Sequence, residues 1–147
     1  LTLQYGLRFS TFQYLGSGTA NFYDRPADGT PRQPSEIRSF DRGEVIASYG
    51  NLEPRFSANF SVNDRSSLKM SYNRTAQYIH LVSNTAASTP LDVWTPSTNN
   101  IKPQTANQVA LGYFRNFDDN TYEFSVEGYY KSLGNQLDFV DNANLLL

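Results

Sequence analysis

An all-β fold, an antiparallel meander of about five to six strands, is predicted by three features of the sequence. Apolar residues recur at a spacing of two, not at the 3.6 of a helix. Prolines cluster, with Pro26, Pro31 and Pro34 in one segment and Pro90, Pro96 and Pro103 in another, while Pro54 stands alone before an alternating run. Proline lacks the N–H that a sheet ladder needs, so these positions mark loops and strand ends. The segments between them are rich in Tyr, Phe, Val, Thr and Ser, which favour strands, and no convincing amphipathic helix appears.

The first strand is expected near residues 1–14, where Leu1, Leu3, Tyr5, Leu7 and Phe9 alternate with Thr2, Gln4, Gly6, Arg8 and Ser10. The second, near 54–62, sets Phe56, Ala58, Phe60 and Val62 against Arg55, Ser57, Asn59 and Ser61. The third, near 67–79, sets Leu68, Met70 and Tyr72 against Lys69, Ser71 and Asn73. The fourth, near 104–115, sets Val109, Leu111 and Tyr113 against Gln108, Ala110 and Gly112. The fifth, near 121–133, sets Tyr122, Phe124 and Val126 against Glu123, Ser125 and Glu127. Glu44 to Tyr49 is a weaker sixth run, placed on a loop flank or strand extension.

The connections are unequal. Asn63-Asp64-Arg65-Ser66 and Asn116-Phe117-Asp118-Asp119-Asn120 are tight turns built from residues that tolerate turn geometry. Long loops are expected near 15–53 and 80–103. The order long, short, long, short puts all short turns on one rim of an antiparallel meander and all long loops on the other. A segment of a transmembrane β-barrel has this asymmetry, with short periplasmic turns, long extracellular loops, and strands of about 9–11 residues apolar towards lipid and polar inward. Aromatics near the run ends suit two interfacial belts: Phe60, Tyr113, Phe114, Phe117 and Tyr122 at one rim; Phe9, Phe12, Tyr14, Tyr78, Tyr129 and Tyr130 at the other. The alternative is a half-solvated antiparallel sheet in a soluble, lectin-like binding module, which alternates in the same way.

Composition narrows the function. The chain has 147 residues, with 12 Lys+Arg against 14 Asp+Glu, a net charge of −2, and no cysteine. A near-neutral chain has no broad electrostatic footprint for nucleic acid, so that partner is set aside. Without Cys there is no disulfide framework, thiol nucleophile or Cys-ligated metal. No apolar run approaches the roughly 18 residues of a transmembrane helix. The length fits one domain. Leu1-Thr2-Leu3-Gln4-Tyr5 resembles the middle of a strand and Leu145-Leu146-Leu147 ends without a polar tail, so a fragment or processed piece is expected.

A sharper handle starts at Leu52-Glu53-Pro54-Arg55. The phrase Ser71-Tyr72-Asn73-Arg74-Thr75-Ala76-Gln77-Tyr78 follows, then Ile101-Lys102-Pro103-Gln104-Thr105-Ala106-Asn107-Gln108, then Glu127-Gly128-Tyr129-Tyr130-Lys131. In order and spacing these phrases resemble the barrel of TonB-dependent outer-membrane receptors, especially the Bacteroidetes type. The resemblance covers nearly the whole chain, with the first loop matching poorly. It implies a parent barrel of roughly 22 strands closed around an N-terminal plug. It also implies a place in the cell outer membrane and nutrient uptake driven through a periplasmic TonB-type coupling protein, with a surface lipoprotein as a further partner. The sequence carries neither plug nor coupling box, and five or six strands cannot close a barrel, so transport would belong to the parent receptor. In isolation such a piece would have two raw edges and an exposed apolar face.

No catalytic, cofactor or metal site is expected. His80, the sole histidine, lacks companion ligands and is expected to be structural or solvated. Asp118 and Asp119 suit Asx turn chemistry better than calcium. Glu123 and Glu127, four apart in a strand, stand roughly 13 Å apart, too far for a glycosidase pair. Together with Arg8, Arg55 and Lys69 on polar faces they suit ion pairing in the lumen, to a plug or to neighbours. Gly16-Ser17-Gly18 is a turn, since it lacks the strand and helix of a phosphate loop. Asn73-Arg74-Thr75 matches a glycosylation acceptor but sits in a strand.

Ligand contacts are expected on the long loops, where function concentrates. The first, Gly16 to Gly43, offers Phe22, Tyr23 and Arg38; the second offers Trp94 and Asn99. Aromatic, Asn and Arg side chains suit a carbohydrate or peptide by stacking and hydrogen bonding. Trp94, between Pro90 and Pro96, has a competing role as an anchor of its loop on the barrel rim.

Overall fold

The computed structural model describes residues 1–23, 34–83, 92–117 and 121–137. Among them every regular element is a strand: β1 (Thr2–Leu15), β2 (Gly18–Tyr23), β3 (Pro34–Phe40), β4 (Val45–Asn63), β5 (Ser66–Gln77), β6 (Ile79–Ser83), β7 (Asp92–Pro96), β8 (Gln104–Phe117) and β9 (Tyr122–Gly134). β1, β4, β5, β8 and β9 form one five-stranded sheet in that order, while β2–β3 and β6–β7 are separate two-stranded hairpins. The sheet is a meander in which each strand neighbours the next long strand of the chain. The two hairpins lie within the two long connections, which the sequence had suggested were plain loops.

The chain divides into two compact units. The first comprises Leu1–Ser10, Asn51–Ala76 and Thr105–Gly134. Its registers preserve the alternation. Phe56 faces Tyr72, Ala58 faces Met70 and Phe60 faces Leu68, while Ser57 faces Ser71 and Asn59 faces Lys69. In the next pair Val109 faces Tyr130 and Tyr113 faces Val126, while Gln108 faces Lys131 and Gly112 faces Glu127. Apolar residues therefore share one face and polar residues the other. A register slip of one residue would exchange the faces completely. The β4–β5 turn holds through Asn63, whose Oδ1 accepts the Arg65 N–H at 3.0 Å, an Asx turn. Asn116 N–H donates to Arg65 C=O at 2.8 Å.

Among the described residues nothing covers the apolar face. Leu3, Leu7, Phe60, Val62, Leu111, Phe124 and Val126 are all exposed. Ala20, 7% exposed in β2, is, proline aside, the one buried aliphatic or aromatic side chain among those described. A β-sandwich closes its core between two apolar faces; this sheet has one, and it is bare.

The second unit comprises Thr11–Gly50, Gln77–Gln104 and Asn135–Leu147. The weak sixth run forms the start of β4, which begins at Val45 rather than near 54 and carries Pro54 within it. Gly16 N–H donates to Glu44 C=O at 2.9 Å and Gly43 N–H to Gly16 C=O at 2.8 Å, closing a stem below the β2–β3 hairpin. Gly43 has φ 83°, which a Cβ would strain.

Candidate functional site

Two places merit a functional reading, one in each unit. The first is the polar face of the sheet. Ser57 Oγ donates to Gln4 Oε1 at 3.3 Å. Glu53, 2% exposed, accepts from Ser10 Oγ at 2.5 Å and lies 4.0 Å from Arg8 Nε. Farther along, a trough of ≈ 410 Å³ is lined by Gln4, Ser57, Asn59, Lys69, Phe114 and Glu127 among others. The Lys69 ammonium sits 4.0 Å from the centre of the Phe114 ring. That ring covers Gly112, where a Cβ would come within 2.9 Å of Phe114 Cε2.

Phe114 is therefore no part of an interfacial belt on the apolar face. Consecutive strand residues point opposite ways, so Tyr113 and Phe114 cannot both face outward, and Tyr129 and Tyr130 divide likewise. Tyr113, Phe117, Tyr122 and Tyr130 lie on the apolar face; Phe114 and Tyr129 lie on the polar one. Phe12 and Tyr78 stack on each other, with centroids 5.3 Å apart and an interplanar angle of 11°. Two arginines break the apolar face, Arg74 on β5 and Arg115 on β8, each towards an end of its strand. Arg115 lies 4.9 Å from the Phe117 ring centre.

The second place is the pair of hairpins. Phe22 faces Glu36 across the β2–β3 ladder and Ala20 faces Arg38. Arg38 Nε and Nη2 donate to the two Glu36 carboxylate oxygens at 2.6 and 2.8 Å. Its guanidinium stands 5.0 Å from the Phe22 ring centre. The Arg38 hydrogen bonds hold the Glu36 carboxyl below the usual carboxylate range. Tyr23 ends the strand, exposed.

The β6–β7 hairpin pairs Leu81 with Trp94 and His80 with Thr95. Trp94 is 67% exposed. His80 is 1% and Ser97 0% exposed; His80 Nε2 and Ser97 Oγ lie 3.0 Å apart. Burial lowers the His80 pKa below 6.5. Ser97 N–H donates to Tyr78 C=O at 2.7 Å, adding a rung to the hairpin. Beyond Ser97 the chain turns through Thr98–Ile101, whose ends exchange backbone hydrogen bonds. Asn99 and Asn100 each donate through Nδ2 to the Asn21 C=O, at 2.7 and 2.9 Å, and Tyr49 OH donates to Thr98 C=O at 2.5 Å.

Of the expected ligand residues, then, Asn99 ties one long connection to the other beside Phe22, and Arg38 and Phe22 form one cluster. Trp94 and Tyr23 stand exposed. Sequence reasoning placed Asn100 on the second loop beside Asn99 but missed Asn21, Tyr49 and Ser97, whose roles depend on partners 49 to 79 residues away or on burial. Asp118 and Asp119, and the loop residues Asp24, Arg25, Asp28, Arg32, Asn84, Thr85 and Thr89, lie outside the described residues. Among the described residues no three His, Asp or Glu side chains group to hold a metal ion.

A meander with one bare apolar face, one polar face, short turns at one rim and long connections at the other defines a segment of a transmembrane β-barrel. The particular family follows from comparison: the model of the TonB-dependent receptor-like β-barrel matches residues 1–146, and the chain belongs to that family. Its members are transporters of the outer membrane rather than enzymes. Searches of curated proteins and of solved structures returned no match.

Proposed function

We propose that this chain supplies part of the wall and part of the ligand-facing surface of an energy-coupled outer-membrane importer. The observation that carries the proposal is the bare apolar face, set back to back with a polar face on continuous strands. In hydrocarbon every backbone N–H and C=O must be paired, which a closed barrel achieves. β1 and β9 stand at the edges of this sheet and would pair with the remaining strands of the parent barrel. The polar face, with Lys69, Glu53 and Glu127, would meet the plug and the water of the lumen. A periplasmic TonB-type protein would supply the energy at the short-turn side, and the long connections would meet the ligand outside, alone or with a surface lipoprotein. The ligand classes that Phe22, Tyr23, Arg38, Trp94 and Asn99 suit are an oligosaccharide, a peptide or a metal chelate. The ordered phrases support a receptor of the Bacteroidetes type.

The test uses the parent receptor in lipid. Spin labels placed singly at Phe60, Leu111 and Phe124 should relax strongly with oxygen dissolved in the bilayer, and labels at Gln108 and Ser125 weakly. Equal oxygen accessibility on both faces would overturn the assignment, and would favour a soluble, lectin-like module instead.

A further inference from the structure

His80 is the most deeply buried titratable side chain of the hairpins, and its ring is incompletely paired. Nε2 has Ser97 Oγ at 3.0 Å. Nδ1 is buried without a hydrogen-bond partner. A neutral imidazole tolerates this, since Nδ1 can be the bare acceptor while Nε2–H donates to Ser97. An imidazolium cannot, because it has two N–H donors and one would point at no acceptor. Leaving a charged donor unpaired in a buried site costs more than leaving a neutral acceptor so.

Among the described residues bonded to or paired with His80, none offers the charge compensation. The cross-strand neighbour on β7 is Thr95, and the partner on the following segment is Ser97, both uncharged. No described residue forms an ion pair with the ring, and burial alone sets the direction of its shift. Tyr49, which donates to the Thr98 carbonyl, is held further from ionisation by burial, which raises its pKa.

Ser97 also occupies a critical place in the chain. It opens the Ser97–Ile101 turn, whose Asn99 and Asn100 hold the Asn21 carbonyl of the other long connection. We propose that the His80–Ser97 pair is a proton-sensitive latch: neutral, it seats the turn that clasps the two long connections together; protonated, it releases that clasp. The sign follows from linkage. A base whose pKa is lower when closed than when open binds the proton in the open form, so acid favours opening. Closure is complete above the ordinary histidine pKa of 6.5 and is lost as pH falls below it.

The test is a distance measurement in the parent receptor in liposomes, with spin labels replacing Ile37 on β3 and Trp94 on β7, both exposed. A single narrow distance distribution is expected at pH 8, broadening reversibly towards pH 5 with a one-proton midpoint below 6.5. His80→Gln, which keeps a donor for Ser97 and cannot charge, should hold the narrow distribution at pH 5. His80→Asn, a shorter side chain that likewise cannot charge, should do the same and covers the case in which His80→Gln fails to assemble. An unchanged wild-type distribution down to pH 5 would overturn the latch, as would equal broadening in either variant.

Discussion

Gly112 and Phe114 stand two apart on the polar face of β8, and the larger residue covers the smaller. A bare glycine in a strand exposes backbone and packs nothing, and the Phe114 ring takes over that place as an aromatic cover. Lys69 from β5 then caps the ring at 4.0 Å, a cation–π contact worth about 0.5–1 kcal/mol at an exposed site. Phe114→Ala should therefore lower the stability of the parent barrel by about 1 kcal/mol, read from urea unfolding in liposomes. Phe114→Leu should recover little, because an aliphatic chain has no negative face for the ammonium. Gly112→Val should cost about 1–3 kcal/mol, since its side chain would start within 2.9 Å of the ring. Gly112→Val and Phe114→Ala combined should cost less than the sum, because the second change clears the space that the first one needs.

At the scale of elements, one position on β8 and one on β9 separate the faces. Leu111 lies on the apolar face and Ser125 on the polar one. Leu111→Arg should destabilise the barrel by about 2–4 kcal/mol, as a charge does near the bilayer midplane, whereas Ser125→Arg should change it by less than about 1 kcal/mol. Equal costs at both positions would contradict the assignment of faces. The clasp between the hairpins is the second element-scale device. Asn99 and Asn100 share one acceptor, so either alone can hold it, and each single alanine variant should have a small effect. The double variant Asn99→Ala/Asn100→Ala should release it, and a loss of about 1–2 kcal/mol raises the open population roughly 5–30-fold. Trypsin cleavage after Arg38, which Ser39 follows, measures that opening in the intact receptor.

The same scale shows what a sequence can carry. The long strands were legible because period-two alternation, Asn63-Asp64-Arg65-Ser66 and the prolines are local signals. The β2–β3 and β6–β7 hairpins were not, because their strands are short, mix polar and apolar residues on both faces, and pair across connections without a tight-turn signature. Pro34 and Pro96 occupy strand ends, as expected where a missing N–H costs little, whereas Pro54 lies inside β4. Phe114 was assigned to a belt because run-end position was weighed without strict phase. The candidate site was legible in its residue types, Phe22, Arg38, Trp94 and Asn99, and illegible in its arrangement. Nothing local in Asn99 or Asn100 announces an acceptor 78 or 79 residues back in the chain.

At the scale of the whole molecule, the demands on wall and loops are separate. The wall strands need paired edges and correctly phased faces; the hairpins need only a closed stem from which to project. Gly16 and Glu44 provide that stem through backbone hydrogen bonds that involve no side chain of the hairpin itself. Shortening a connection above a closed stem lowers the closure entropy slightly, by about 0.6 kcal/mol for each halving of length. Replacing residues 18–40 by a short Gly/Ser linker in the parent receptor should therefore leave assembly intact, seen as an undiminished folded, heat-modifiable band from outer-membrane fractions. Uptake should fail, because Phe22, Tyr23 and Arg38 leave with the hairpin and Asn99 loses its acceptor. Growth on the nutrient for which the parent receptor is required measures that loss. Assembly lost together with uptake would make the hairpin a part of the wall; uptake kept at full rate would place ligand recognition elsewhere in the receptor.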